Sequence, residues 1–580
     1  MTKPVIYTEK NDCQDCYKCI KQCPVKSIKI EENSASVIND FCVYCGKCIK
    51  SCPVKAKKYR EDFRKVQWFI DSGEKVVACI APSFIADFPQ WNPEKFFTIL
   101  HALGFTWASE IAIGAEMVAE ESLKWLNLQP DGVYISSCCP SVVNLIGIYH
   151  PELLKNLVPV YSPMVAHAKR IKQTFGSDVK TVFIGPCIAK KEESDQYKEY
   201  LDAAITFQEL DQWINEEKID IPGLPVVTDD FVVGKANRGN LFPVEGGMIS
   251  TMDRKAPLTD LQRMTFSGIE NIKEILSEME ISQPVGKLFL ELLLCEGGCI
   301  KGPGSANPGG LASKRRFLIQ SVQQNSASDY SIKPLPNVAV DISKDYTVFR
   351  PVIRCIHPEK DIQDVLNSMG KWTEKEELNC SGCGYDNCRE FAKALLDGKA
   401  ERTMCISYMR KIAQNKASVL LQKIPSGVVM VDENLKIIDC NRQFAELLGK
   451  ETVMIFDSNP GMTGADLRKL VSFHKLFSSL LLSGEEKTEN DIREGDNYYH
   501  VSVVNIQNYK IACGIIQNLR NPEIQKEVFA QRINEVVRQN MEAVQRIAYL
   551  LGENASFTEA TLNSITDSLG QSASIESNTK

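Results

Sequence analysis

At 580 residues the chain is too long for one hydrophobic core and should fold as several domains of about 100 to 200 residues each. Its 44% hydrophobic and 24% charged residues are those of an ordinary globular protein, and a net charge of -7 offers no basic patch for nucleic acid. The opening MTKPVIYTEK lacks the apolar centre of a signal peptide and no run of about 18 apolar residues occurs, so a cytoplasmic protein with no membrane span is expected.

The 21 cysteines are far above average, and in a reducing compartment they point to metal ligation rather than disulfides. The first element is a repeat: Cys13, Cys16, Cys19 and Cys23-Pro24, then Cys42, Cys45, Cys48 and Cys52-Pro53. This is the bacterial two-cluster pattern, in which the fourth cysteine of each run ligates the other cluster. Two-residue spacings let three thiolates cap one cube, and the proline turns the chain so that the fourth reaches across. Cys13, Cys16, Cys19 and Cys52 are assigned to one 4Fe-4S cluster and Cys42, Cys45, Cys48 and Cys23 to the other, in a ferredoxin-like α+β domain over residues 1–62. A zinc ribbon is the competing reading. Two adjacent clusters conduct electrons and perform no bond chemistry alone.

Between residues 76 and 299, short apolar runs stop at a polar or sulfur residue: VVACIAPS, VYISSCCP, VFIGPC and LFLELLLC. They read as strands of a parallel sheet buried on both faces, with helical stretches such as PEKFFTILHALGF and SEIAIGAEMVAEESLKWL between them. Ligands in α/β sheets bind beyond the carboxyl ends of the strands, where Ser83, Cys138, Cys139, Cys187 and Cys295 fall. The residues SSCCP, PCIAKKE and ELLLCEGGCIKGPG, in this order after a two-cluster segment, resemble the three signatures of FeFe hydrogenases. The resemblance implies an H-cluster domain over 70–358. Its cofactor would be a four-iron cubane on Cys139, Cys187, Cys295 and Cys299, with Cys299 bridging to a two-iron subsite that carries carbon monoxide, cyanide and a bridging amine dithiolate.

The same resemblance gives roles to the neighbours. Lys190 would set an ammonium against one cyanide and Ser83 a hydroxyl against the other, Phe242 would wall the subsite, and Cys138 would pass protons to the bridging amine. Pro82, Gly185, Leu293 and Pro243 would line the cofactor. A surface lysine at 190 and plain core packing of Phe242 are the competing readings. A free thiol has a pKa near about 8.5, suited to proton transfer if an acid-base chain continues from it. The sequence departs from the family at Gly185 and Leu293, which stand where methionines are usual, and in the proton route. The serine position of that route falls on Val158, which cannot relay a proton. Glu121 replaces the first glutamate only with a one-residue shift, and the second then falls on Lys124. Slow turnover, or another route, is expected.

Further on, CSGCGYDNC and Cys405 place Cys380, Cys383, Cys388 and Cys405 at intervals suited to one more 4Fe-4S cluster in a small four-cysteine iron-sulfur domain over 370–410, with structural zinc as the alternative. IPSGVVMVDENLKIIDCNRQFAELLG alternates as a hairpin around DEN and becomes a helix, which resembles the opening of a PAS α+β domain; it is placed at 415–520, with strands in YYHVSVVNIQ and YKIACGIIQNL. His474 and His500 are haem-ligand candidates there, weighed against surface or core roles. Residues 521–552 carry three heptads with Asn540 at position a, as in parallel dimers, so a C-terminal helix or coiled coil and a homodimer are expected; packing on the PAS fold is the alternative. A partly disordered tail follows over 553–580.

No Walker A or dinucleotide fingerprint occurs, and no histidine follows His500. Three functions follow from these features. The first is a sensory FeFe hydrogenase of low turnover that reacts with hydrogen and protons and passes redox state through its clusters and PAS domain. Its expected partners are a redox protein such as ferredoxin, a serine/threonine phosphatase or kinase, and hydrogenase maturation proteins. The second is a catalytic hydrogenase with a regulatory PAS domain, and the third an iron-sulfur electron carrier without the two-iron subsite.

Overall fold

The computed structural model describes residues 3–519 apart from Glu32, the stretches 226–230, 253–260, 282–285, 325–331, 350–354 and 495–496, and the single positions 235, 237, 334, 336, 337 and 348. Beyond 519 it describes only Arg538, so the expected helix over 521–552, its heptads and the tail over 553–580 lie otherwise outside the described residues. The chain divides into two compact units, Met1–Tyr408 and Met409–Lys580.

The first unit opens with a pseudo-symmetric ferredoxin-like segment. The short helices Lys18–Gln22 and Lys47–Ser51 each follow a residue in the left-handed region, Tyr17 (φ 56°) and Gly46 (φ 70°), which turns the chain tightly enough to bring the cysteines of one run together. Antiparallel pairs Ile28–Glu31 with Ser34–Val37 and Ile6–Thr8 with Lys57–Tyr59 back these loops.

After the helix Phe63–Asp71 come two parallel sheets rather than the single one the sequence suggests. The larger runs Ile332–Lys333, Val232–Val233, Trp107–Glu110, Val76–Ile80, Lys180–Gly185, Ala203–Thr206, with all neighbours parallel. Val76–Ile80 is buried at every residue because it lies between two strands, which is why it reads as an unbroken apolar run. The smaller sheet orders Leu261–Ser267, Lys287–Leu293, Gly132–Ile135, again parallel. VYISSCCP and LFLELLLC therefore pair with each other and not with VVACIAPS, a choice that apolar run length cannot encode. The predicted helices are found at Pro93–Ala102 and Ala112–Asn127.

The four-cysteine segment contributes the helices Glu359–Ser368 and Cys388–Leu396. Ile362, Leu366 and Phe391 from these helices join one apolar core with Ile6, Ile20 and Ile28, so this segment shares its core with the ferredoxin-like segment. In the second unit, Gly427–Asp432 and Ile437–Cys440 form the expected hairpin, and Asn441 caps the helix Arg442–Leu448 by accepting the Phe444 N–H. The antiparallel sheet continues through Ile511–Asn518, Asn497–Gln507 and Lys487–Glu494.

Candidate functional site

Four strand ends from the two sheets meet at one cavity of about 110 Å³. Val76–Ile80 delivers Pro82 and Ser83, Gly132–Ile135 delivers Cys138 and Cys139, Lys180–Gly185 delivers Cys187, and Lys287–Leu293 delivers Cys295. Cys299 arrives on the turn that follows. Gly297 and Gly298 have φ of 76° and 93°, and a Cβ on Gly298 would collide with the Pro243 carbonyl, so the CEGGC loop closes only with glycine. The buried Lys314 then pins the turn by donating to the Ile300 carbonyl at 3.2 Å.

All four expected cubane ligands, Cys139, Cys187, Cys295 and Cys299, line this cavity, as do Ser83, Cys138, Lys190, Phe242, Pro82, Pro243 and Leu293. Gly185 does not. The Phe183 ring and Ala81 occupy the place a Cβ would take there, and Phe183 lines the cavity instead. Among the described residues no three ligating side chains converge tightly enough for a single ion; these thiols surround a space.

The donor set fits a buried cluster. Burial pushes the Cys187 thiol up to about 11 and raises Cys295 and Cys299 further, so each keeps its proton unless a metal cation takes its place. Ser83 Oγ is fully buried with no hydrogen-bond partner, a donor available to a group in the cavity. Lys190 is buried and donates to Ser162 Oγ at 2.9 Å and Glu193 Oε2 at 2.6 Å, which leaves one of its three donors. Burial alone would lower its pKa, but the Glu193 carboxylate and the Cys187 sulfur outweigh that and raise it.

Around Cys138, the expected proton carrier, the structure adds residues the sequence did not single out. Burial pushes the Cys138 thiol up to about 12 rather than leaving it near the free value. Its Sγ lies 3.5 Å from Met248 Sδ, and the Met248 N–H donates to Glu291 Oε1 at 3.2 Å. Glu291 is buried, lines the same cavity and has its carboxyl pushed up to about 7 by burial, although the Met248 and Ile249 N–H groups hold it down. Val158 is fully buried in an apolar cluster with Val160 and Met248, against which Cys138 packs, and its own side chain offers no proton-carrying group. Glu121 does not substitute for a relay glutamate: it and Lys124 are on the outer face of Ala112–Asn127, ion-paired at 3.3 Å. The signal for Glu291 was present as the one charge inside LFLELLLC.

Of the two expected ferredoxin-like cysteine sets, one lines a common cavity. Cys23, Cys42, Cys45 and Cys48 line one small cavity, and the Ser27 and Tyr44 N–H groups reach Cys23 and Cys42 sulfurs at 3.3 and 3.4 Å. This set faces the larger site: a Cβ on Gly46 would press on Pro303 and on Ile188, next to Cys187. Cys13, Cys16, Cys19 and Cys52 are the expected outer set, and Cys16 is exposed. In the four-cysteine segment, Asn379 accepts the Cys388 N–H at 2.8 Å and Cys405 is buried. In the second unit, His500 Nδ1 pairs with Asp491 at 2.6 Å on the strand surface, and His474 opens the helix His474–Ser483.

Comparison with known proteins matches residues 74–303 to the family "Iron only hydrogenase large subunit, C-terminal domain", 5–80 to "4Fe-4S dicluster domain", 376–407 to an Fe-S cluster family and 416–485 to "PAS domain". No curated protein matches the chain. Similar solved structures include a variant of the FeFe hydrogenase HydA1 from Chlamydomonas reinhardtii, 18% identical over 45% of this chain and 88% of its own, with a TM-score of 0.36. Another is the photoactive yellow protein domain of the sensor histidine kinase Ppr from Rhodospirillum centenum, 16% identical over 17% of this chain and 90% of its own, with a TM-score of 0.14. With the dicluster, hydrogenase and PAS families matched in chain order, the chain is an FeFe-hydrogenase-like protein that carries a PAS domain.

Proposed function

We propose that the protein is a sensory FeFe hydrogenase of low turnover that passes the redox state of its site through iron-sulfur clusters and the PAS domain to a signalling partner. Cys139, Cys187, Cys295 and Cys299 hold the H-cluster, which when bound supplies reversible conversion of hydrogen into two protons and two electrons. Lys190 and Ser83 present donors to its diatomic ligands, and Phe242 with Phe183 keeps water out. Cys138 Sγ is the proton-carrying group nearest the reaction. The observation that carries the low-turnover reading is Val158, fully buried at the position where the expected proton route has a serine, with Cys138 Sγ packed 3.5 Å from the Met248 thioether. A redox protein such as ferredoxin would exchange electrons at the exposed Cys16 side, and a serine/threonine phosphatase or kinase would receive the signal.

The test is the rate of hydrogen oxidation and evolution per assembled two-iron site. Rates far below those of prototypical enzymes with the site fully loaded support sensing. Comparable rates would instead establish the second reading, a catalytic hydrogenase with a regulatory PAS domain. One observation favours that alternative: Glu291, poised near neutrality, lines the same cavity as Cys138 and would be the next proton carrier across it.

A further inference from the structure

The loop after Cys383 is seated on the ferredoxin-like segment backbone to backbone. Gly384 has φ of 91°, and a Cβ on it would lie 3.0 Å from Ile20 Cγ2 and 3.1 Å from the Lys21 nitrogen. Ile20 belongs to the helix Lys18–Gln22, which ends at Cys23. Lys26, three residues past Cys23, donates to the Gly384 carbonyl at 2.9 Å and stands 3.3 Å from the Asp386 carboxylate. A further backbone bond joins the Ile30 N–H to the Lys399 carbonyl at 3.1 Å. Tyr385 is 3% exposed, its hydroxyl has no partner, and its ring packs in one core with Cys23, Cys42 and Phe391.

The internal repeat shows that this contact is specific to one side. Ile49 and Lys55 are the counterparts of Ile20 and Lys26 in the second cysteine run; they border an open cleft, and Lys55 is exposed. The covered helix carries Cys19 of the outer set and ends at Cys23 of the inner set; Lys26, which bonds the Gly384 carbonyl, follows Cys23, and the inner set abuts the hydrogenase-like site through Gly46.

We infer that the Gly384–Ile20 contact is an electron junction, through which the four-cysteine site exchanges electrons directly with the inner ferredoxin-like site and without passage through the outer one. The inference rests on the cluster assignments of the proposed function. One electron crosses: the group held by Cys23, Cys42, Cys45 and Cys48 is oxidised, the group held by Cys380, Cys383, Cys388 and Cys405 is reduced, and no proton moves or bond breaks. The wire therefore branches at the inner site. One arm ends at the exposed Cys16, and the other ends at Cys405, from which the chain runs straight into the helix Ile406–Lys423.

The experiment uses full-length protein with its clusters assembled, reduced stepwise by dithionite and followed by electron paramagnetic resonance and rapid freeze-quench. Replacement Cys383→Ser, which empties the four-cysteine site, should remove spin-spin broadening from the inner-site signal. Gly384→Ala and Lys26→Ala should keep the iron content and slow reduction of the four-cysteine site several-fold, the lysine variant guarding against misfolding of the glycine one. Cys16→Ser, which damages the outer site, should preserve the spin-spin broadening between the inner and four-cysteine sites. An inner-site spectrum that is the same with and without Cys383, or loss of that broadening in Cys16→Ser, would overturn the junction. Because dithionite replaces hydrogen as the electron source, a chain that proves inert to hydrogen would refute the proposed function and leave this result standing.

Discussion

Glu291 lines the same cavity as Cys138, a carboxyl raised to near neutrality close to a thiol held protonated. If Glu291 receives the proton, Glu291→Gln should lower turnover by about 10² or more while the infrared bands of the loaded site persist. An unchanged rate would mean protons leave elsewhere. Val158→Ser tests the other side, and should raise the rate if Val158 is the block; no change would remove that account of slow turnover. Cys139, Cys187, Cys295 and Cys299 are legible because their loops are defined by local spacing. Met248 and Glu291 reach Cys138 only after residues 136–138 and 248–291 are folded together, and no local pattern encodes that meeting.

At the scale of elements, two buried polar devices hold the site in place. Lys191, on the helix Ala189–Gln196 that follows Cys187, is 1% exposed and pairs with Asp62 at 3.1 Å and Glu209 at 2.9 Å, tying the ferredoxin-like segment to the sheet. Lys191→Met leaves the buried Glu209 carboxylate without its cation, while Asp62 keeps Arg60 at 2.7 Å, and should cost about 3–5 kcal/mol, seen as a lower thermal midpoint of the cluster-bearing unit. An unchanged midpoint would show that the carboxylates find other partners. His167 is the second device. It is fully buried where Gly114 lets the helices Pro163–Phe175 and Ala112–Asn127 touch, both ring nitrogens lack partners, and burial, aided by Arg170, pushes it down to about 3. The unfolded chain, with histidine near about 6.5, therefore binds the proton first; stability is complete above that pH and falls by up to about 1.4 kcal/mol per unit as pH drops toward 3. His167→Leu should flatten the pH dependence of the unfolding midpoint between pH 7 and 5, and an unaltered slope would assign it to other groups. The strands and helices around these residues were legible from apolar period and length. Their partition into two sheets was not, because strand order depends on contacts far apart in sequence.

At the scale of the molecule, the cores are segregated. Among the described residues, the PAS core, from Val429 to Ile516, contains none from before the boundary at Tyr408, and the cores that surround the cysteine sites contain none from beyond it. Each unit thus has its own source of hydrophobic stabilisation, and the cluster ligands from Cys13 to Cys405 all belong to the first. A chain ended after Lys423 should accordingly keep its iron content and its hydrogen rate per loaded site, and lose only the output that the PAS domain carries. That outcome separates the two functional readings more sharply than the rate alone. A regulatory PAS domain on a catalytic enzyme predicts that its removal changes the rate, whereas a PAS domain downstream of a sensing site predicts that it does not. Loss of iron on truncation would contradict the segregation itself and show that the cluster-bearing unit depends on the second for its folding.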